Sequence, residues 1–303
     1  MSFVDAHKDR ETDGLLWGVE PICRVLHFAP SVYYAYKARP QSRRSVEDAE
    51  LKRLVIRIWE EDFSCYGAEK IWRQLQRDGV SCGRDRVARL MRELGICGVV
   101  RGKPRRTTVP APTGERPEDL VRRSFAALAP NKVWVADITY CRAEAGFAYV
   151  AFVVDVFARV IVGWAVSASL RADLALAALE MAFFSRRGQD LSSLVHHSDR
   201  GVQYLSVRYT ERLAQERAVI SVGSKGDSYD NALAETVNGL YKAELVHNFG
   251  PWRDAAHLEC ETAPWAAWWN TRRLHSYCGW VPPAEAEAAF WAAQAKNTKE
   301  KAA

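Results

Sequence analysis

The chain has 303 residues, 48% hydrophobic and 26% charged, which is room for two or three domains and at least one sizeable core. Its net charge of +5 is unevenly spread: Arg39 to Arg106 holds 17 Lys/Arg against 10 Asp/Glu, so one end carries the positive field that a polyanion needs. Seven cysteines without a CxxC pair argue against a disulfide framework or a zinc knuckle, no signal peptide is apparent, and the longest apolar run (Phe147 to Val154) is too short to span a membrane. A reducing cytoplasm is the expected setting.

In chain order, residues 1–43 mix apolar and charged positions with helical character, punctuated by Pro21 and Pro30. Residues 44–62 place Leu51, Leu54, Val55 and Ile58 at helical spacing. After Tyr66-Gly67 come Ile71, Trp72 and Leu75, a turn at Asp78-Gly79, and a second helix from about Arg84 to Leu94 with Gly95 as its C-cap. Two short helices joined by a glycine turn predict a helix-turn-helix over 44–100. Arg84, Arg86, Arg89 and Arg92 lie on or near its second helix; a solvated basic face is the plainer reading, DNA recognition the functional one. Residues 101–130 hold Pro104, Pro110, Pro112, Pro117 and Pro130 behind Arg101-Gly-Lys-Pro-Arg-Arg, a basic linker suited to lying along phosphates.

From Lys132 the periodicity becomes strand-like. Val133–Tyr140, Phe147–Val154 and Val160–Ser167 predict an antiparallel meander. A helix (Ala172–Phe184), a short strand (Leu194–His197), a helix (Val207–Arg217), a strand (Val219–Val222), a loop (Gly223–Asp230) and a helix (Asn231 to about Val246) follow. That order predicts an α/β, RNase H-like core of a mixed sheet with flanking helices over 131–247, preceded by the all-α helix-turn-helix region. Residues 248–303 form a Trp-rich helical extension.

Three carboxylates stand out. Asp137 interrupts the apolar strand Val133-Trp-Val-Ala-Asp-Ile-Thr-Tyr140, where a charge is expensive unless a cation or hydrogen bonds compensate it; a buried structural Asp explains it about as often. Asp199 follows a short strand in His196-His-Ser-Asp-Arg-Gly-Val-Gln-Tyr204, at the strand end where α/β sheets place ligands, or as a turn former before Gly201. Glu235 lies on a helix whose Leu233, Val237 and Leu240 face the other way, so on periodicity alone a solvated face is the favoured reading. Glu244 interrupts the apolar stripe and predicts solvent near the helix end. His196 and His197 suit strand packing better than magnesium, which prefers oxygen. Asp155 reads as shaping the turn into Ala158-Arg159, while Arg273 and His275 stay open between capping and DNA contact.

As a set the residues are far more specific. A Trp-x-x-Asp-Ile-Thr-Tyr strand, a His-Ser-Asp-Arg-Gly-x-Gln-Tyr turn and an Asp-Asn-Ala-x-x-Glu helix with Lys242 seven residues on resemble the DDE transposase and retroviral integrase superfamily. Closer still is the OrfB-type catalytic subunit of two-frame bacterial insertion sequences. Cys23-Arg-Val-Leu with Ser31-Val-Tyr-Tyr-Ala, and Asn270-Thr-Arg-Arg-Leu-His275 with Gly279 and Pro282, extend the resemblance over about 270 of 303 residues. Ala136 and Val202 depart from the family's Thr and Ser, neither at a ligand position.

The resemblance implies Mg-dependent cleavage at element ends and strand transfer into target DNA, with Asp137 bridging two Mg²⁺ ions (Mn²⁺ as substitute) about 3.5–4 Å apart. Asp199 takes one ion and Glu235 the other. Lys242 would contact a phosphate or terminal base, with Arg200, Gln203 and Lys225 as weaker DNA-positioning candidates. Partners implied are double-stranded DNA (terminal inverted repeats and target), further copies of the chain on DNA, and an upstream-frame OrfA protein or frameshift fusion. The rivals are a catalytically inactive, transposase-derived DNA-binding protein, disfavoured by the intact triad, and an RNase H-type nuclease, which needs no basic helix-turn-helix.

Overall fold

A computed structural model describes residues 1–39, 42–101, 127–199, 201, 203–222 and 232–302. The chain divides into two units, Met1–Arg53 and Leu54–Ala303.

In the first unit, helices α1 (Ser2–His7), α2 (Val19–Val25) and α3 (Pro30–Ala38) surround a small core of Val4, Ile22, Cys23 and Tyr33. A two-stranded hairpin, β1 (Glu11–Thr12) and β2 (Leu15–Leu16), lies between α1 and α2; two-residue strands leave no periodicity for a sequence to display. Helix α4 (Arg43–Glu61) runs across the unit boundary.

In the second unit, α5 (Ala68–Arg77) and α6 (Arg84–Glu93) pack together, burying Ile71 and Leu75 from one and Val87, Leu90 and Met91 from the other. Gly79 and Gly95, both at positive φ, make the turns after each helix, as the sequence predicts.

The sheet comprises β3 (Val133–Ala143), β4 (Gly146–Asp155), β5 (Ile161–Ser167), β6 (Val195–Ser198) and β7 (Val219–Val222), in the order β5-β4-β3-β6-β7. β3, β4 and β5 pair antiparallel, while β6 and β7 add parallel to β3. Crossover helices α7 (Ala172–Ser185) and α8 (Val207–Gln215) cover one face, over a core that includes Trp134, Leu179 and Tyr209. The predicted mixed sheet with flanking helices is what forms. Among the described residues no helix is long and apolar enough to cross a membrane.

Helix α7 approaches the sheet closely because small residues face each other. A Cβ on Gly163 of β5 would lie 2.1 Å from the Ala178 carbonyl oxygen and 2.7 Å from the Ala182 nitrogen. Both obstacles are backbone, so no rotamer change relieves them. Gly163→Ala is therefore expected to destabilise the protein by about 3 kcal/mol or more, read from urea denaturation; a loss within experimental error would mean that helix and strand separate freely.

The other face is covered by α9 (Ala232–Tyr241), a π-helical turn (Lys242–Val246), the short α10 (His247–Phe249) and α11 (Ala255–Thr271), with α12 (Pro283–Ala302) closing the chain. Phe152 of β4 meets Tyr241 and Trp265, and Trp265 meets Trp269. Asn270 binds the start of β5 through its amide, accepting from the Ile161 nitrogen and donating to the Ile161 oxygen at 2.8 and 2.9 Å. The tryptophan-rich tail thus lines this side of the sheet.

The expectation for Glu244 fails. It is buried, and Arg273 donates to it from Nε at 2.9 Å and from Nη2. Helical periodicity shows only that a charge breaks the stripe; its partner stands 29 residues on in a separate segment. The wider π turn, which buries Ala243, Glu244, Leu245 and Val246 in succession, is equally invisible to a 3.6-residue count. Arg273 is thereby a buried structural residue, stacked 4.6 Å from the Trp269 ring centre. Around it, Tyr66 accepts from the Leu274 nitrogen at 2.7 Å, Trp268 Nε1 donates to Asp62 at 2.8 Å and Arg272 pairs with Glu61 at 2.9 Å.

Candidate active site

Asp137 points from β3 towards α9, on the sheet face shared with Val135 and Thr139. One carboxylate oxygen accepts from the Ile138 nitrogen and the other from Asn238 Nδ2, each at 2.8 Å. These bonds favour the charged form, yet burial and the nearby charges of Asp199 and Glu235 prevail, pushing the Asp137 pKa up to about 8. Asp199 follows the last residue of β6, paired through that strand to β3, so parallel pairing brings the two carboxylates to one end of the sheet. Its Oδ1 accepts from the Gly201 nitrogen at 2.9 Å. Its outer side is open to solvent, although desolvation on the inner side still raises its pKa.

Glu235 stands exposed on the first turn of α9. Partial burial and the charge of Asp199 raise its pKa, and Arg101 opposes them. The expected solvated face for Glu235 is observed, but it looks onto two other acids. Among the described residues no three His, Cys, Asp or Glu side chains already form a metal-sized cluster. The donor set nevertheless fits a hard divalent cation: all oxygen, with like charges that a cation would relieve.

The other expected residues distribute unevenly. Gln203 is half-buried beside Asp199; a Cβ on the intervening Gly201 would lie 2.9 Å from Gln203 Oε1 and 3.0 Å from Asp199 Oδ1. Lys242 opens the π turn and sets its ammonium 4.8 Å from the Tyr140 ring centre. Arg200 and Lys225, with the loop Gly223–Asp230, lie outside the described residues, as does most of the linker. On α6, Arg84 pairs with Asp85 and Arg89 with Glu93, Arg86 is half-buried, and Arg92 is exposed. The histidines pack as expected: His196 meets the Tyr209 hydroxyl and His197 the Ser221 hydroxyl, each at 2.9 Å. Burial holds His196 neutral, with a pKa near 3. Asp155 accepts from the Asn131 and Phe157 nitrogens, shaping the turn after β4.

Two residues stand nearer the acids than the sequence indicates. Asn238, three residues after Glu235, takes the inward position that binds Asp137, and with Ala234, Val237 and Tyr241 it forms the buried stripe, while Leu233 and Leu240 are half-buried. The i, i+3 spacing to Glu235 was the available signal. Arg101, expected with its linker neighbours to lie along phosphates, lies over α9 at Gly239, where a Cβ would approach its Nε to 3.1 Å.

Two family profiles described as Integrase core domain match residues 127–228 and 217–283, and one described as HTH-like domain matches residues 45–104. The chain is 50% identical over 267 residues to a putative transposase for insertion sequence element IS986/IS6110 of Mycobacterium tuberculosis, covering 87% of this chain and 96% of that one. It is 46% identical over 281 residues to a transposase for insertion sequence element IS629 of Shigella sonnei, covering 91% and 93%. Among solved structures, the HTLV-2 integrase catalytic core domain in complex with magnesium aligns at 15% identity with a TM-score of 0.40, over 53% of this chain and 98% of that one.

Proposed function

Since the chain belongs to the insertion-sequence transposases with an integrase core, we propose that it cuts DNA at the ends of its element and joins the freed ends to target DNA, using Asp137, Asp199 and Glu235. The observation that carries this reading is Asp137: a carboxylate inside an apolar strand, driven towards its neutral form by burial and by two further acids. Such an arrangement is costly for the fold and useful around a cation.

Asp137, Asp199 and Glu235 would hold two magnesium ions, which would supply charge stabilisation at the attacking and leaving oxygens of the phosphodiester. Asn238 fixes the rotamer of Asp137 by donating to its outer oxygen. Water attacks the phosphorus at the element end, the bond to the 3′ oxygen breaks, and that oxygen leaves as a hydroxyl. The same hydroxyl then attacks a target phosphorus, expelling the target's 3′ oxygen, so the number of phosphodiesters is conserved in the second step. Neither step needs a covalent link to the protein. Lys242 and Arg101, both beside the Glu235 face of α9, would bind flanking phosphates. The arginines of α6, Arg92 foremost, would read the terminal repeats as duplex, with further copies of the chain and the upstream-frame protein assembling on them.

The test is Mg²⁺-dependent joining of a labelled element end to plasmid DNA, with the upstream-frame protein supplied as a fusion. Asp199→Asn and Glu235→Gln are expected to reduce joining by about 10³-fold or more while leaving end binding intact. Variants that join as well as the parent would overturn the assignment. A parent that binds ends yet joins none with Mg²⁺ or Mn²⁺ would favour the inactive DNA-binding alternative.

A further inference from the structure

β6 pairs with β3 only over Val133–Ala136, so the remainder of β3, from Asp137 to Ala143, has no strand on that side among the described residues. Side chains alternate along a strand. Asp137 faces α9, and the opposite sheet face at this end carries Tyr140 and Arg142. Phe147 of β4 stands directly across from Arg142 and diagonal to Tyr140. Helix α7, which covers this face, lies over β4 and β5. The three side chains are consequently exposed, Tyr140 at 51% and Phe147 at 53%. The two rings meet edge to face, 5.8 Å apart at 84°. Lys242, which opens the π turn after α9, holds its ammonium over Tyr140.

We propose that Tyr140 and Phe147, flanked by Arg142 and Lys242, form a stacking platform for unpaired nucleobases of the DNA strand beside the Asp137 site. Large exposed apolar groups clustered with cations are uncommon on a surface with no ligand, and aromatic faces interleaved with basic side chains are how proteins hold single-stranded nucleic acid. A neutral protein partner would leave Arg142 and Lys242 desolvated without compensation, whereas phosphates complement them. Tyr140 lies three residues beyond Asp137, about 10 Å along the strand, or roughly three steps of stacked DNA. A base inside a duplex is covered on both faces by its neighbours and can meet a ring face-on only after leaving the stack, so the platform would hold open the few nucleotides next to the cut. The inference rests on reading Asp137 as the reacting centre, but it uses none of that centre's chemistry.

The experiment measures binding of the full chain to fluorescein-labelled (dT)₁₂, and to a duplex of equal length, by anisotropy in EDTA. Tyr140→Leu and Phe147→Leu are each expected to raise the single-strand Kd about tenfold while changing duplex binding by less than about twofold; Tyr140→Phe stays with the parent. Both leucine variants are checked for unchanged far-UV circular dichroism. As a measurement on the unmutated chain, (dT)₁₂ carrying 5-iododeoxyuridine should photocrosslink to the peptide that contains Tyr140 or Phe147. Crosslinks confined to other peptides, equal weakening of single strand and duplex, or parent-like binding by Tyr140→Leu would each overturn the platform. Because EDTA removes the cleavage chemistry, a chain that stacks bases yet joins no DNA sinks only the catalytic reading, and the converse result sinks only this one.

Discussion

In EDTA at pH 8, Asp137→Asn is expected to be more stable than the parent by roughly 2–4 kcal/mol, while its joining activity is lost. The parent's carboxyl has a pKa near 3.8 when unfolded and about 8 when folded. Between those values the folded state binds more protons, so stability falls as pH rises. The contribution of the protonated acid is fully present below pH 4 and is gone once pH passes about 8. An amide has no such penalty, so the variant's advantage should vanish at pH 4 and be greatest at pH 8. The figure is kept below the full linkage value because Asp137 is only half-buried. Asparagine also fits the hydrogen bonds: Asn238 Oδ1 is buried with no partner among the described residues, and turning that amide offers an acceptor to the new NH₂ group. Millimolar Mg²⁺ should reverse the order by stabilising the parent more than the variant. Urea denaturation at pH 4, 6 and 8, with and without Mg²⁺, checks all of this. Equal stabilities at pH 8 without metal would mean that Asp137 is an ordinary structural acid.

The second large effect belongs to the buried pair of Glu244 and Arg273. Removing one member of such a pair leaves an uncompensated charge and costs about 3–5 kcal/mol, but the two removals are not equivalent. Lys70 lies in the same cluster, its pKa drawn down to about 8 by burial and by Arg273, with Glu244 opposing. Arg273→Met leaves Glu244 with Lys70, so its loss should fall near the lower end. Glu244→Leu leaves two cations together and should fall near the upper end; without Glu244 to hold it, the Lys70 proton is given up below pH 8, so part of the loss recedes as pH rises towards 8. The double substitution should recover most of the stability. Denaturation curves of the three variants at pH 7 and 9 test this; a Glu244→Leu loss smaller than that of Arg273→Met would show that Lys70 does not share the field of the pair.

How much of this the residues disclose depends on the range of each interaction. The strands and α7 to α9 were legible because their apolar spacing is local, as were the turn glycines Gly79 and Gly95. The three acids were legible as a constellation through motif spacing, and only Asp137 had a physical argument of its own. Glu244 was misread because periodicity sees one helix, and its partner Arg273 comes from a segment that periodicity treats separately. Asn238 was passed over since a polar residue on a helix usually faces water, and here β3 puts an acid opposite it. Arg101 was legible as a phosphate-seeking cation but not as one lying over α9, because the helix residue it approaches is Gly239, with no side chain to signal a contact. Tyr140 read as a strand residue like any other, its exposure being set by how far β6 extends.

The joint at Tyr66, Asp62 and Glu61 bears on attempts to exchange the helix-turn-helix region between relatives. Those residues belong to the segment around α4 and α5, yet their partners Trp268, Arg272 and Leu274 belong to the far end of the chain, and the Arg273 between them anchors the turn that follows α9. A graft cut at the linker would sever all of these at once. Retargeting by domain swap should therefore work only when residues 244 and 268–275 travel with the transplanted helices, two distant stretches behaving as a single heritable part.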